Sequence, residues 1–274
     1  NSMKLYRQIR ERAPQTKIVL HMHNALEVKG LDADVKMIVP SIFLKDFYQA
    51  KLPQANIAIV PNGIDLEAYQ ASYEEKSKVD LGLSANDTVI FYAGRIVPDK
   101  GILQLLQAFE KISESHENLK LVVVGDHLEV SKSDKGAYQR EVRNISERLN
   151  GKCLLLGSMS PEQMNNYYAV GDLVVIPSQV QEAFCMVAIE AMGAGKPVLV
   201  STRGGMTEFV KHKQTGFHLR EPMTVDSIAE DIVNTLKDKQ LTNIAMNGKK
   251  FVYEHYSWLG VTQVFEDVIR QWFD

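Results

Sequence analysis

The chain has 274 residues, a formal net charge of −3, 45% hydrophobic residues and two cysteines, Cys153 and Cys185. That length and apolar content suit one large or two ordinary domains with a full core. The near-neutral balance without a basic block argues against a partner that is nucleic acid, and two cysteines make neither a disulfide framework nor a zinc site, so a reduced, cytoplasmic setting is expected.

The opening stretch "NSMKLYRQIRERAP" lacks the apolar centre of a signal peptide and reads as a helix from the middle of a domain. The expectation from it is that the chain begins inside a longer domain. "TKIVLHMHN" and "VKMIVPS" read as strands, "IFLKDFYQAKL" as a helix, and "NIAIVPNGID" as a strand stopped by Pro61 and an Asn-Gly turn. The polar stretch "EAYQASYEEKSKVDLGLSAND" reads as a linker with some helix.

A regular alternation then begins. The strands "TVIFYAGR", "KLVVVGD", "KCLLLGS", "DLVVIPS", "PVLVS" and "GFHL" are interleaved with amphipathic helical stretches, among them "GILQLLQAFEKISESH" and "KGAYQREVRNISERLN". In "SPEQMNNYYAVG", Ser160 is placed to cap a helix with Pro161 at its first position. Three helices are expected to close the chain: "TVDSIAEDIVNTLKD", "QLTNIAMNGKKFVYEHY" and "SWLGVTQVFEDVIRQWF". Strands apolar at consecutive positions are buried on both faces, so the fold class is α/β with a doubly wound parallel sheet. Ligands of such a sheet bind in the loops beyond the strand ends. No uncharged apolar stretch is long enough to cross a membrane.

Two of those loops carry the chemistry. In "YAGRIVPDKG", Gly94 allows close backbone approach, Arg95 offers a fork for phosphate oxygens, and Lys100 stands at a helix start. Taken alone, the loop reads equally as a surface turn whose cations face water. In "QVQEAFCMVAIEAMGAGKPVL", Glu182 lies in the loop before a helix and Glu190 lies about two turns on, among Met186, Val187, Ile189 and Met192. A carboxylate there is costly without partners, and ligand hydroxyls can supply them. The backbone N–H groups near Phe184, Cys185 and Met186 are open at the helix start. Either glutamate alone also reads as a structural charge, Glu182 favouring the helix dipole and Glu190 pairing a cation. "AMGAGKP" is not a phosphate-binding P-loop: it falls at a helix end and has Pro197 where a hydroxyl residue is required, so Gly193 and Gly195 are expected to cap the helix.

Taken together, "EAFCMVAIEAM", "AGRIVPDKG", "VPNGID" and "STRGGMTEFV" resemble the retaining GT-B glycosyltransferases that carry the E-x7-E signature, the family 4 type, and most of all bacterial cell-surface and spore-coat sugar transferases. The resemblance runs from about Thr16 to the end. It implies a donor-binding domain over 65–257, the later part of an acceptor-binding domain over 1–64, and a helix over 258–274 that returns to the first domain through Trp258, Val264, Phe265, Val268 and Trp272. The substrate it implies is a nucleotide diphosphate sugar, UDP-linked, with no cofactor and no metal. Glu190 would hold the ribose hydroxyls and Glu182 the sugar hydroxyls, with the Phe184, Cys185 and Met186 backbone assisting. Gly94, Arg95 and Lys100 would meet the diphosphate, and the backbone near Met159 the base. His23, which follows the first strand, is the candidate near the reacting centre, with His21 as the alternative.

The implied acceptor is a cell-envelope glycan or a lipid-linked sugar, met by a cytoplasmic enzyme in peripheral membrane contact. About sixty residues before "PNGID" are fewer than a whole acceptor domain needs. The expectation is therefore a chain inactive toward acceptor and prone to self-association through the incomplete domain. Two further classes stay open: another GT-B enzyme such as an epimerase or phosphorylase, and a coat-associated protein without turnover.

Overall fold

The computed structural model describes residues 2–67, 76–125 and 134–274. The linker stretch read from the sequence falls partly outside them. Two parallel sheets organise the chain. The first has three strands in the order β1 (Val19–His21), β2 (Lys36–Val39) and β3 (Asn56–Ile59). Helices α1 (Ser2–Arg12) and α2 (Ile42–Gln49) belong to this part. Tyr6, Met37, Val39, Leu44 and Tyr48 are buried in its core.

The second sheet contains β4 (Thr88–Ala93), β5 (Leu119–Val124), β6 (Cys153–Gly157), β7 (Leu173–Ile176), β8 (Val198–Val200) and β9 (Phe217–His218). Their order across the sheet is β6-β5-β4-β7-β8-β9, all parallel. The intervening helices are α3 (Ile102–Ser113), α4 (Asp134–Arg148), α5 (Pro161–Tyr168), α6 (Met186–Gly193), α7 (Val225–Leu236) and α8 (Leu241–His255).

The consecutive apolar residues of the strands divide between two cores, as the period of two requires. Ile90, Tyr92, Leu121, Val123, Leu173 and Val175 face α3, α4 and α7. Val89, Phe91, Val122, Val124, Val174 and Ile176 face the other way, with Ala188, Ile189 and Met192 of α6 and Val252 of α8. Each strand residue of this kind contributes about 1.5–3 kcal/mol by leaving water.

Local signals set the ends of the helices. Ser160 accepts the N–H of Gln163, whose side chain returns the bond to the Ser160 backbone, closing a capping box at α5. At the end of α6 only Gly195 adopts the left-handed conformation, with φ 74°; Gly193 is still helical. The Gly195 N–H donates to Met192 and that of Lys196 to Ala191, the two bonds of a Schellman stop.

The chain crosses between the sheets twice, side by side. Ile64 N–H donates to the Tyr256 carbonyl at 2.8 Å beside a parallel bridge from Ile64 to Ser257. Helix α9 (Trp258–Phe273) then lies against the first sheet, where Val261, Val268, Ile269 and Trp272 meet Val19, Ile38 and Val60. Lys17 Nζ donates to the Phe273 carbonyl at 3.1 Å. Of the apolar residues expected to make this contact, Val268 and Trp272 do so, whereas Trp258, Val264 and Phe265 are exposed. Among the described residues no helix is long and apolar enough to cross a membrane.

Candidate donor site at the switch point

The second sheet reverses its direction of growth between β4 and β7, because β5 and β6 extend one way from β4 and β7, β8 and β9 the other. The crevice beyond the carboxyl ends of these two strands is where such sheets bind ligands. The loop after β4 carries Gly94, Arg95 and Lys100, and the loop after β7 carries Ser178, Glu182 and Cys185. The two loops are packed on each other. Gln179 N–H donates to the Asp99 carbonyl at 2.8 Å, and a Cβ on Gly101 would stand 2.0 Å from the Pro177 carbonyl.

Lys100 is carried at the end of a short 3-10 turn, Pro98–Lys100, and its Nζ lies 2.5 Å from Glu182 Oε1. The two side chains are 24% and 12% exposed, so water screens this pair far less than a surface bridge. The Ser178 hydroxyl donates to the same oxygen. Among the described residues no group donates to Glu182 Oε2. The loop backbone is held from the other side as well: Gly205 N–H donates to the Glu182 carbonyl at 2.8 Å, and Gly204 forms a bridge with Glu182. A Cβ on Gly204, where φ is 73°, would stand 2.1 Å from that carbonyl.

Glu190, on the second turn of α6, lines a cleft of about 220 Å³ together with Gly94, Arg95, Gly125, Ser158, Met159 and Tyr168. Tyr168 donates to Glu190 Oε2 at 2.8 Å. Burial raises the Glu190 carboxyl above its ordinary value, and the Tyr168 hydroxyl partly offsets this. Among the described residues Glu190 Oε1 has no donor. Arg95 is exposed at the mouth of the cleft and, among the described residues, forms no ion pair. The two cations thus differ: Lys100 is engaged by Glu182, whereas Arg95 reaches the cleft with no ion partner among the described residues.

Between the glutamates lies the start of α6. Cys185 occupies its N-cap with φ 78°, a left-handed backbone, and its side chain makes no capping bond. The first turn therefore presents N–H groups to the crevice. Phe184 is a core residue, in contact with Phe209 and Tyr256 at ring centroid distances of 5.3 and 5.5 Å, so only its backbone reaches the site. Burial, aided by Glu182, pushes the Cys185 thiol up to about 12, against the lowering that a bare helix start would give.

His21 ends β1 on the first sheet and His23 stands just beyond it, their rings 4.0 Å apart. Burial and the neighbouring His23 lower His21. Among the described residues no hydrogen bond joins either ring to Lys100 or Glu182. Tyr168, Ser178 and Gly204 belong to the site without having been found in the sequence. Tyr168 lies 22 residues from Glu190 and Gly204 acts through backbone geometry, neither of which leaves a spacing signal, whereas Ser178 stands four residues before Glu182 and is the one a local reading could have found. The same described residues contain no group of three His, Cys, Asp or Glu side chains able to hold a metal ion.

A second cavity, of about 700 Å³, opens at the opposite edge of the sheet beside Lys78, Asp87, His116 and Asp172. It is the larger, but it lies at the amino ends of the strands, away from the loops that carry the paired glutamates.

Comparison with known proteins bears on this geometry. Residues 74–251 match the family described as "Glycosyl transferases group 1". The whole chain is 51% identical to lipopolysaccharide 1,2-N-acetylglucosaminetransferase of Salmonella typhimurium, spanning 72% of that protein. It is 24% identical to spore coat protein SA of Bacillus subtilis over 85% of this chain and 66% of that one. Among solved structures, HepE from Anabaena with UDP and glucose superposes with a TM-score of 0.82 at 24% identity, covering 98% of this chain and 76% of that one. Sucrose-phosphate synthase from Thermosynechococcus elongatus gives 0.82 at 23% identity, over 99% and 71%. Both share the GT-B arrangement of two facing parallel α/β units.

Proposed function

The chain belongs to the group 1 glycosyl transferases, and we propose that it moves N-acetylglucosamine, or a related hexose, from a UDP-sugar to a sugar of a lipopolysaccharide-type acceptor with retention of configuration. The observation that carries this reading is the arrangement of the two glutamates. Each is anchored through one carboxylate oxygen, Glu182 by Lys100 and Ser178 and Glu190 by Tyr168. Among the described residues each keeps its other oxygen for ligand hydroxyls. The Salmonella relative's transfer of N-acetylglucosamine to lipopolysaccharide supports the choice of donor sugar and acceptor, and the UDP held by HepE supports the nucleotide.

In this reading Glu190 binds the ribose, with the base toward Met159, and Glu182 binds the sugar. Arg95, Lys100 and the open N–H groups at Cys185 and Met186 take the diphosphate. Preorganised donors of this kind stabilise the charge that develops as the bond from the anomeric carbon to phosphate breaks. The acceptor hydroxyl attacks the anomeric carbon on the face the diphosphate leaves, and a phosphate oxygen receives its proton. Residues 65–257 act as the donor domain, and 1–64 with the returning helix 258–274 as part of the acceptor side, where His23 or His21 approaches the reacting sugar. The setting is cytoplasmic, with peripheral contact to a membrane that carries the acceptor.

The test is transfer from UDP-N-acetylglucosamine to truncated lipopolysaccharide in excess chelator, by a chain extended to the length of the Salmonella relative. The anomeric configuration of the product is read by NMR. Release of UDP with an α-linked product supports the reading; no transfer from any nucleotide sugar by a folded sample refutes it.

A further inference from the structure

The seam between the two sheets carries a contact that the sugar chemistry leaves unassigned. Glu208 closes a 3-10 turn, Gly205–Glu208, on the side of the six-stranded sheet. Its carboxylate accepts the backbone N–H groups of Ile42 at 2.9 Å and Phe43 at 2.8 Å. Those are the first two residues of α2, on the side of the three-stranded sheet, 165 or more residues earlier in the chain. Ser41 serves the same helix from within, its hydroxyl accepting the Leu44 N–H at 3.1 Å. A helix start offers unpaired N–H groups and the positive end of a dipole, so a carboxylate taking two of them makes a directional, charge-assisted tie.

The same turn seats Glu182. Gly205 donates to the Glu182 carbonyl at 2.8 Å, and Gly204 is bridged to Glu182. Gly205 also lies against Ser41, where an added Cβ would stand 3.1 Å from the serine Cβ. One turn of backbone thus joins the α2 cap to the loop that carries the sugar-facing carboxylate.

We infer that Glu208 is a positioning residue for transfer: by capping α2 of the facing half, it fixes the Gly204–Gly205 turn and, through it, the Glu182 carboxylate. This rests on the transferase reading above. Glu208 touches no reacting atom. It makes the placement of Glu182 depend on the relative position of the two halves, so the sugar contact is complete only when the halves are docked.

The experiment compares Glu208→Ala and Glu208→Gln with Ser41→Ala in the extended chain. Ser41→Ala removes an α2 cap and keeps the Cβ that lies against Gly205. Steady-state kinetics, UDP affinity and amide hydrogen exchange are measured for each. Glu208→Ala is expected to lower kcat on the order of tenfold to a hundredfold, as small misplacements of reacting groups do. UDP affinity should be unchanged, and exchange should quicken at Ile42, Phe43 and Gly205. Ser41→Ala should quicken exchange at Leu44 and keep kcat. If Glu208→Ala does not fold, Glu208→Gln, which keeps one acceptor, carries the comparison. Unchanged kcat and unchanged Gly205 exchange in the Glu208 variants would overturn the inference. An equal loss of kcat in Ser41→Ala would overturn it too, by tracing the effect to fraying of α2. Should the parent chain transfer no sugar at all, the transferase reading falls, and Gly205 exchange still decides whether Glu208 governs the turn.

Discussion

Lys100 and Glu182 come from the loops on either side of the β4–β7 switch point and meet at 2.5 Å. In the proposed function the pair joins a phosphate-facing cation to a sugar-facing carboxylate, so removing the cation also takes a donor from Glu182. Lys100→Met leaves Glu182 with Ser178 as its donor in a partly buried place. Both UDP affinity and kcat should fall, UDP by roughly 1.5–3 kcal/mol, the range for hydrogen bonds to charged groups. Calorimetry and steady-state kinetics measure the two. An unchanged UDP affinity would show that Lys100 serves Glu182 alone.

The two glutamates should separate by ligand. Glu190→Ala is expected to weaken UDP by roughly 1.5–3 kcal/mol. Glu182→Ala should leave UDP as it was and weaken the intact UDP-sugar relative to UDP by a similar amount. Equal losses of UDP in both variants would contradict the assignment of Glu190 to ribose and Glu182 to the hexose.

The proton on Glu190 gives a second handle. Burial raises this carboxyl above its ordinary 4.5, and the Tyr168 hydroxyl holds it partly down. Between 4.5 and the raised value the native state keeps a proton that the unfolded chain has released. This group's contribution to stability is therefore present below 4.5 and falls as pH rises through that window. Ribose hydroxyls donating to the carboxylate favour its ionised form, so UDP binding should release a proton and tighten as pH rises through the same window. Tyr168→Phe removes a donor to the carboxylate and should move the window upward. Calorimetry in two buffers of different ionisation enthalpy counts the proton; uptake instead of release would reverse the assignment.

Much of this architecture is legible in the chain. Runs such as Leu173–Ile176 announce strands covered on both faces, and each of those residues is buried. Ser160 and Pro161 mark the start of α5, and the glutamates mark the crevice. What stays hidden is contact across long sequence distance. Nothing near Glu190 names Tyr168, 22 residues away, and nothing near α2 names Glu208. Backbone conformation is hidden too. Cysteine at 185 reads as an ordinary helix-start residue, yet its φ is 78°.

That conformation makes its own prediction. A left-handed backbone costs a non-glycine residue about 1–2 kcal/mol. Cys185→Gly should preserve turnover and stability within about 1 kcal/mol, the relief of strain offsetting the lost side chain. Cys185→Val, branched at Cβ, should destabilise more strongly. The native thiol, pushed up to about 12, should react slowly with an alkylating reagent at pH 8. Denaturant melts and labelling kinetics check the three statements. Rapid native labelling of Cys185 would mean that the helix start is open to solvent at this side chain.

Helix α9 shows where periodicity runs out. Its apolar residues form a face broader than the first sheet covers, so spacing alone does not choose which of them are buried. The first sheet chooses Val261, Val268, Ile269 and Trp272, and leaves Val264 and Phe265 more than 40% exposed. Val261 is 4% exposed against Ile38 and Val60. Trimming it to alanine removes two buried methyl groups at about 0.8 kcal/mol each and leaves a small cavity. A loss of about 1.5–2.5 kcal/mol is expected in a urea melt. Val264→Ser should stay within about 0.5 kcal/mol, as substitutions at the surface do. Val264 lies to one side of the stripe that Val261, Val268 and Trp272 form along the helix, so the comparison reads the rotation of the helix. If Val264→Ser costs more than Val261→Ala, α9 is rotated toward Val264 against the first sheet, and the seam that holds the two halves together must be redrawn.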